Sequence, residues 1–188
     1  MKILVGLGNP GRKHVLNRHN LGFIVVESWV LLKGGDFGKE EFHAQTARLK
    51  IGGEDVLVMK PLTYMNKSGE AVAEAMRFFK VPIEDVIVVH DELDIPPMSY
   101  RLKKGGGHAG HNGLRSMSVM GESCLRFRMG IGRPPHPEMS VADFVLGNLS
   151  GDELQFWEKE MGAVVEAIDL CLTGKTEIAM NKANRKDK

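Results

Sequence analysis

Apolar positions recur along this chain with two periods, one near 2 and one near 3.6. Lys2 to Val5 is a short apolar run closed by Gly6 and Gly8, which predicts a first β-strand. Leu21 to Leu32 has the apolar density of a helix that stops before Gly34 and Gly35. Ala44 to Ile51 and Asp55 to Met59 flank Gly52-Gly53 and read as a hairpin, so antiparallel pairing enters the sheet. Ala71, Val72, Ala75, Met76 and Phe79 form a helical stripe, with Ser68 expected as its cap and Pro82 following its end. Val86 to Val89 is continuously apolar, the mark of a strand covered on both faces, and it runs into His90-Asp91.

Ser99 to Lys103 reads as a short polar strand, His111 to Met120 as a helix, and Leu125 to Ile131 as an alternating strand. A loop containing Pro134, Pro135 and Pro137 is expected at the surface. Ser150 and Glu153 make a capping-box pattern, after which Leu154, Trp157, Met161, Val164, Val165, Ile168 and Leu172 repeat at helical spacing until Gly174. The segment from Lys175 starts as a further helix and becomes strongly polar, so residues 182–188 are expected to fray. These elements define an α/β protein: one three-layer α/β/α domain over residues 1–188, with a mixed, centrally parallel sheet.

At 188 residues the chain is long enough to bury one substantial core. Hydrophobic residues make up 43%, yet no apolar run approaches a membrane span, and the N-terminus lacks a secretory signal, so a cytoplasmic protein is expected. Cys124 and Cys171 have no metal-type spacing and read as buried thiols. The formal net charge of +1 does not by itself call for a nucleic-acid partner. The basic residues are nonetheless clustered: Arg101, Lys103 and Lys104 lead into a triple glycine, and Arg115, Arg126, Arg128 and Arg133 follow it, which permits a local basic patch.

The candidate chemistry falls at strand ends, where α/β proteins place their sites. Gly6, Gly8 and Gly11 satisfy G-x-G-x-x-G after a strand, but Pro10 interrupts the turn and Glu27 falls mid-helix, so the glycines read as a sharp turn presenting the Asn9 amide and not as a dinucleotide fingerprint. His108 and His111 form H-x-x-H and, with His90, offer metal ligands, but on a backbone too glycine-rich to fix them alone. His19 precedes the first helix, and Asp91 ends a buried strand where a carboxylate needs a partner. A carboxylate that accepts one ring N–H fixes the tautomer and frees the other nitrogen to act as a base. Asn66 and Asn112 can hold water or an oxyanion. A hydrolase that activates water directly, with no cofactor and no metal, is the first reading. A metal-dependent peptidase-like hydrolase and an RNA-binding module without catalysis are the alternatives.

Collinear blocks carry a resemblance over nearly the whole chain: VGLGNPG from Val5, RHNLG from Arg18, TYMNKSG from Thr63, HDELDIPP from His90, GGGHAGHNGLRS from Gly105, RMGIGRP from Arg128 and FVLG from Phe144. In these the chain resembles the bacterial peptidyl-tRNA hydrolase family. The resemblance implies cleavage of the ester between a peptide and the 3′-terminal ribose of tRNA, by a monomer with peptidyl-tRNA as its partner and no membrane. It makes His19 the general base and Asp91 the residue that orients it, and it has Asn9 distinguish a peptide-like amide from a free amine. Asn66, Asn112 and His111 would hold the tRNA end and the ester, Tyr64 and Met65 would line the pocket, and Lys103 and Arg128 would clamp the 5′ phosphate. Two positions depart from the family pattern: His14 stands where Tyr is usual, and Asn17 where Thr is common. Position 14 would meet the terminal nucleotides, where a histidine ring can still stack on a base.

Overall fold

The two runs that are apolar throughout become neighbouring central strands, because only there is a strand buried on both faces. In the computed structural model, which describes residues 1–185, the chain runs through β1 (Lys2–Gly6), α1 (Leu21–Leu32), β2 (Lys39–Glu41), β3 (Ala44–Ile51), β4 (Glu54–Pro61), α2 (Ser68–Phe79), β5 (Val86–Glu92), β6 (Tyr100–Lys104), α3 (Asn112–Met117), β7 (Leu125–Gly130), α4 (Val141–Val145), α5 (Gly151–Leu172) and α6 (Thr176–Ala183). One sheet has the order β2-β3-β4-β1-β5-β7-β6. β4, β1, β5 and β7 run parallel, while β2 and β3 on one side and β6 on the other pair antiparallel. The expected mixed sheet therefore has antiparallel strands at both margins.

Period-2 alternation divides the core between the faces. Leu4, Val56, Val58, Ile87 and Val89 pack with α1 and α5, and Ile3, Val5, Leu57, Val86 and Val88 pack with α2 and α3. The layers approach closely at β1, where a Cβ on Gly6 would fall 2.3 Å from the Gly22 carbonyl oxygen and one on Gly22 would fall 2.3 Å from the Val89 carbonyl oxygen. Any larger residue at either position would push α1, and the turn ahead of it, off the end of β5.

One expected cap is corrected. Ser68 is the first residue of α2, and its hydroxyl donates back to the Met65 carbonyl at 2.8 Å, because a 3₁₀ turn at Met65–Lys67 already leads the chain into the helix. α3 is capped by His111, whose ring Nδ1 accepts from the amides of Gly113 and Leu114. The Ser150–Glu153 capping box is present in both directions. Cys124 and Cys171 are buried free thiols. Of the polar end, Lys182 and Ala183 lie in α6, Asn184 accepts from Leu102 N at 2.8 Å and donates to Leu102 O at 2.9 Å along the outer edge of β6, and residues 186–188 lie outside the described residues. No helix among the described residues is long and apolar enough to cross a membrane.

Candidate active site at the carboxyl edge of the sheet

His19 sits in a 3₁₀ turn, Arg18–Asn20, directly ahead of α1, and Asp91 lies near the end of β5. The close Gly6–Gly22 approach brings them together. His19 Nδ1 lies 3.0 and 2.9 Å from the two carboxylate oxygens of Asp91, with both residues buried. From the other face of the sheet His111 reaches the same carboxylate, Nε2 to Oδ1 at 2.8 Å. Because His111 Nδ1 accepts two backbone amides, its proton sits on Nε2 and is donated to Asp91. Asp91 thus accepts from two rings, His19 donates through Nδ1, and Nε2 of His19 is left as the basic nitrogen.

The electrostatics follow from this geometry. Burial by itself would lower the pKa of His19, but the charge and hydrogen bond of Asp91 outweigh it, so the pKa is raised above 6.5. Burial opposes the charge on Asp91 as well, yet the attraction of His19 and His111 holds its carboxyl far below the usual range. His90, one residue earlier and fully buried, is driven down to about 3, by burial first and by neighbouring His111 second. Its Nδ1 donates to the Asp91 carbonyl at 2.8 Å, and its ring lies 5.2 Å from that of His111, while its Nε2 is buried without a partner.

A cavity of about 350 Å³ opens beside the relay, lined by His19, Asp91, His111, Asn112, the glycine-rich loop and Val141 of α4. Of the expected carboxamides only Asn112 lines it, and Asn66 is exposed on the neighbouring turn. Asn9 is held elsewhere: its Oδ1 accepts from Met65 N at 2.8 Å, and its backbone exchanges two 2.9 Å bonds with the Asn20 side chain. Met65 is buried below α3, against Gly113, and Tyr64 is 57% exposed at a φ of 61°, a strained backbone for an aromatic residue. The two departures from the family pattern meet each other: His14 Nδ1 donates to Asn17 Oδ1 at 2.7 Å, and Asn17 Nδ2 donates to Asn148 Oδ1 at 2.9 Å.

The basic cluster is organised by register. Arg101 pairs with Arg128 and Lys103 with Arg126 across β6 and β7, so the four project from one face. They are not equivalent. Arg126 is buried and donates to the carbonyls of Gly106 and Gly107, pinning the loop, a role that its place in a charge cluster does not reveal. Arg128 pairs with Glu92 at 2.9 Å, whereas Lys103 is exposed.

The other motifs resolve differently. Gly11 leads into a 3₁₀ turn and α1 begins only at Leu21, so no helix N-terminus follows the glycines as a dinucleotide site requires. His108 is half-buried and accepts from Gly110 N, leaving the H-x-x-H pair unconverged. Among the described residues the one group with metal-ligand proximity is His19, Asp91 and His111, whose donor atoms lie within 4.8 Å of one another. The resemblance assigns His111 to the substrate, and no spacing along the chain shows its partnership with Asp91.

A three-layer α/β fold with a buried imidazole–carboxylate–imidazole cluster opening into a cavity at the strand ends is an arrangement suited to a hydrolytic enzyme. Comparison with known proteins narrows the class. The chain belongs to the peptidyl-tRNA hydrolase family, whose model matches residues 3–188. It is 44% identical over 190 residues to a peptidyl-tRNA hydrolase of Anaeromyxobacter sp. strain K, covering 100% of this chain and 98% of the relative. It is 47% identical over 169 residues to that of Zymomonas mobilis, covering 89% of each. The crystal structure of the Acinetobacter baumannii enzyme superposes with a TM-score of 0.93 at 37% identity, covering 100% of this chain and 96% of that one.

Proposed function

We propose that this chain hydrolyses the ester between a peptide and the 3′-terminal ribose of tRNA, with His19 as general base. The observation that carries this reading is the hydrogen bond from His19 Nδ1 to Asp91, which leaves Nε2 free to take a proton. A water deprotonated by His19 attacks the ester carbonyl, and the tetrahedral intermediate collapses. The leaving 3′ oxygen takes the proton back from His19, giving tRNA and a peptide acid that ionises to the carboxylate by releasing its proton to solvent. A positioned base contributes about a hundredfold to ten-thousandfold in rate. An ester is activated enough that no covalent nucleophile is required. Asn112 and Asn66 donate to the oxyanion and the tRNA end, Asn9 reads the amide of the peptide, and Met65 and Tyr64 border the substrate. His14 meets the terminal nucleotides, and Lys103 and Arg128 hold the 5′ phosphate through charge alone, so one enzyme serves many tRNAs. The chain works as one unit, a monomer in the cytoplasm.

A metal-assisted reading has one observation in its favour, the convergence of His19, Asp91 and His111. The deciding experiment incubates the protein with N-acetylaminoacyl-tRNA and chelator. Deacylation is expected to persist, to leave free aminoacyl-tRNA intact, and to vanish in His19→Ala while tRNA binding survives. Loss on chelation with recovery on zinc would establish the metal version, and unchanged single-turnover cleavage by His19→Ala would remove His19 from the mechanism.

A further inference from the structure

A second cavity, of about 300 Å³, lies at the same carboxyl edge of the sheet on the other side of Asn9, and the relay makes no use of it. We propose that it is a subsite for the peptide portion of the substrate, an inference that rests on the hydrolase reading above. Its walls combine apolar Val15, Phe23 and Leu62 with polar Gln45, Glu27 and Lys60. Gln45 and Lys60 are direct cross-strand partners on β3 and β4, so their side chains share one face. Lys60 is buried, its ammonium held 2.6 Å from Glu27 and 4.5 Å above the Phe37 ring. A carboxylate already set against the lysine disfavours a phosphate. Amide, carboxylate and ammonium groups between apolar walls instead suit an extended peptide, which needs both donors and acceptors along its main chain and apolar contact for its side chains.

The layout of the sheet gives the direction. The cations Lys103 and Arg128 stand on β6 and β7 and project from the α2/α3 face, the relay stands at the end of β5, and the second cavity borders β4 and β3 beyond β1 on the α1 face, so the substrate passes over the carboxyl edge at the relay. Peptidyl-tRNA has the same linear order: charged stem, ester, peptide. From β5 to β4 is two strand spacings, about 10 Å, which an extended peptide crosses in about three residues. The subsite therefore meets residues beyond the one esterified to the ribose. Asn9 lines its inner end, with Oδ1 tied to Met65 and the amide nitrogen left to donate.

The test compares N-acetylaminoacyl-tRNA with tetrapeptidyl-tRNA, built on one tRNA and one esterified residue, for the wild type, Lys60→Met and Val15→Trp. Val15 is 54% exposed, so a tryptophan there can fill the cavity mouth without disturbing the core. The wild type is expected to show the lower KM for the longer substrate, and each variant to raise that KM about tenfold, the loss of one charge-assisted contact or its equivalent. KM for the short substrate and the inhibition constant of deacylated tRNA should move less than twofold. Equal wild-type KM values for both substrates, parallel losses on both in Val15→Trp, or a weakened inhibition by deacylated tRNA would overturn the subsite. Wild-type protein that cleaves neither substrate would overturn the hydrolase reading itself.

Discussion

Asp91 carries one negative charge where water is scarce, and two imidazole N–H groups take the place of hydration. Its depressed pKa means that its stabilising contribution is present above the unfolded value near 3.9 and is lost as acid drives the pH down through the folded value. His19 has the opposite sign. Its raised pKa favours the folded state fully below about 6.5, and that contribution fades as the pH rises through the folded value. With His19 as the proposed base, activity runs against this stability, since a base must be unprotonated, so the acid limb of kcat/KM is expected above pH 6.5. Asp91→Asn removes the group that raises the pKa and leaves burial, which lowers it. The acid limb should then move to lower pH while the plateau falls about a thousandfold to ten-thousandfold, because an amide in place of the carboxylate disturbs the tautomer. A pH profile of kcat/KM checks both, and an acid limb that stays in place would assign it to a group other than His19.

At the scale of elements, the turn that bears His19 is strapped to the chain between α4 and α5. Arg18 N donates to Gly147 O at 2.9 Å, Leu149 N to Leu16 O at 2.9 Å, and the Arg18 guanidinium meets Glu153 at 3.1 Å while lying 4.5 Å over the Phe144 ring. Glu153 also accepts from Ser150 N in the capping box of α5, so one carboxylate ties the start of that helix to the turn that bears His19. Glu153→Gln keeps a capping-box residue but leaves Arg18 without its charge partner. A loss of about 3 kcal/mol in urea unfolding is expected, with a several-fold fall in kcat, and an unchanged midpoint would show that the pair contributes nothing. None of this strap is visible along the chain, because its partners are more than 100 residues apart in sequence. What local pattern carries was legible: α1 from its apolar density, α5 from its capping box and stripe, β5 from its unbroken apolar run. α4 and β2 were not, since five and three residues are too few to display a period. The His19–Asp91 pair could be anticipated from the need of a buried carboxylate for a partner. His111 could not, because its roles as helix cap and as second donor to Asp91 depend on a ring placement that no spacing rule specifies.

The whole molecule has a formal charge of only +1, so attraction to a polyanion cannot come from its overall field and must come from one face. The register of β6 and β7 concentrates Arg101, Lys103, Arg126 and Arg128 there, but their availability differs. Arg126 is engaged by loop carbonyls and Arg101 donates to Tyr100 O, which leaves Lys103 and Arg128 to meet a phosphate. Removing Lys103 deletes one cation. Removing Arg128 deletes one cation and also exposes the Glu92 carboxylate that it neutralises, adding repulsion at the same spot. Both substitutions should flatten the dependence of log KM on log salt by roughly 0.7 to 0.9, the share of one phosphate contact. At low salt Arg128→Ala should raise KM more than Lys103→Ala, and Arg128→Ala combined with Glu92→Gln should recover part of the difference. Titrating KM against salt for the three variants decides the matter. Slopes identical to the wild type would remove this face from tRNA binding, and a double variant no better than Arg128→Ala would show that Glu92 is not felt by the substrate.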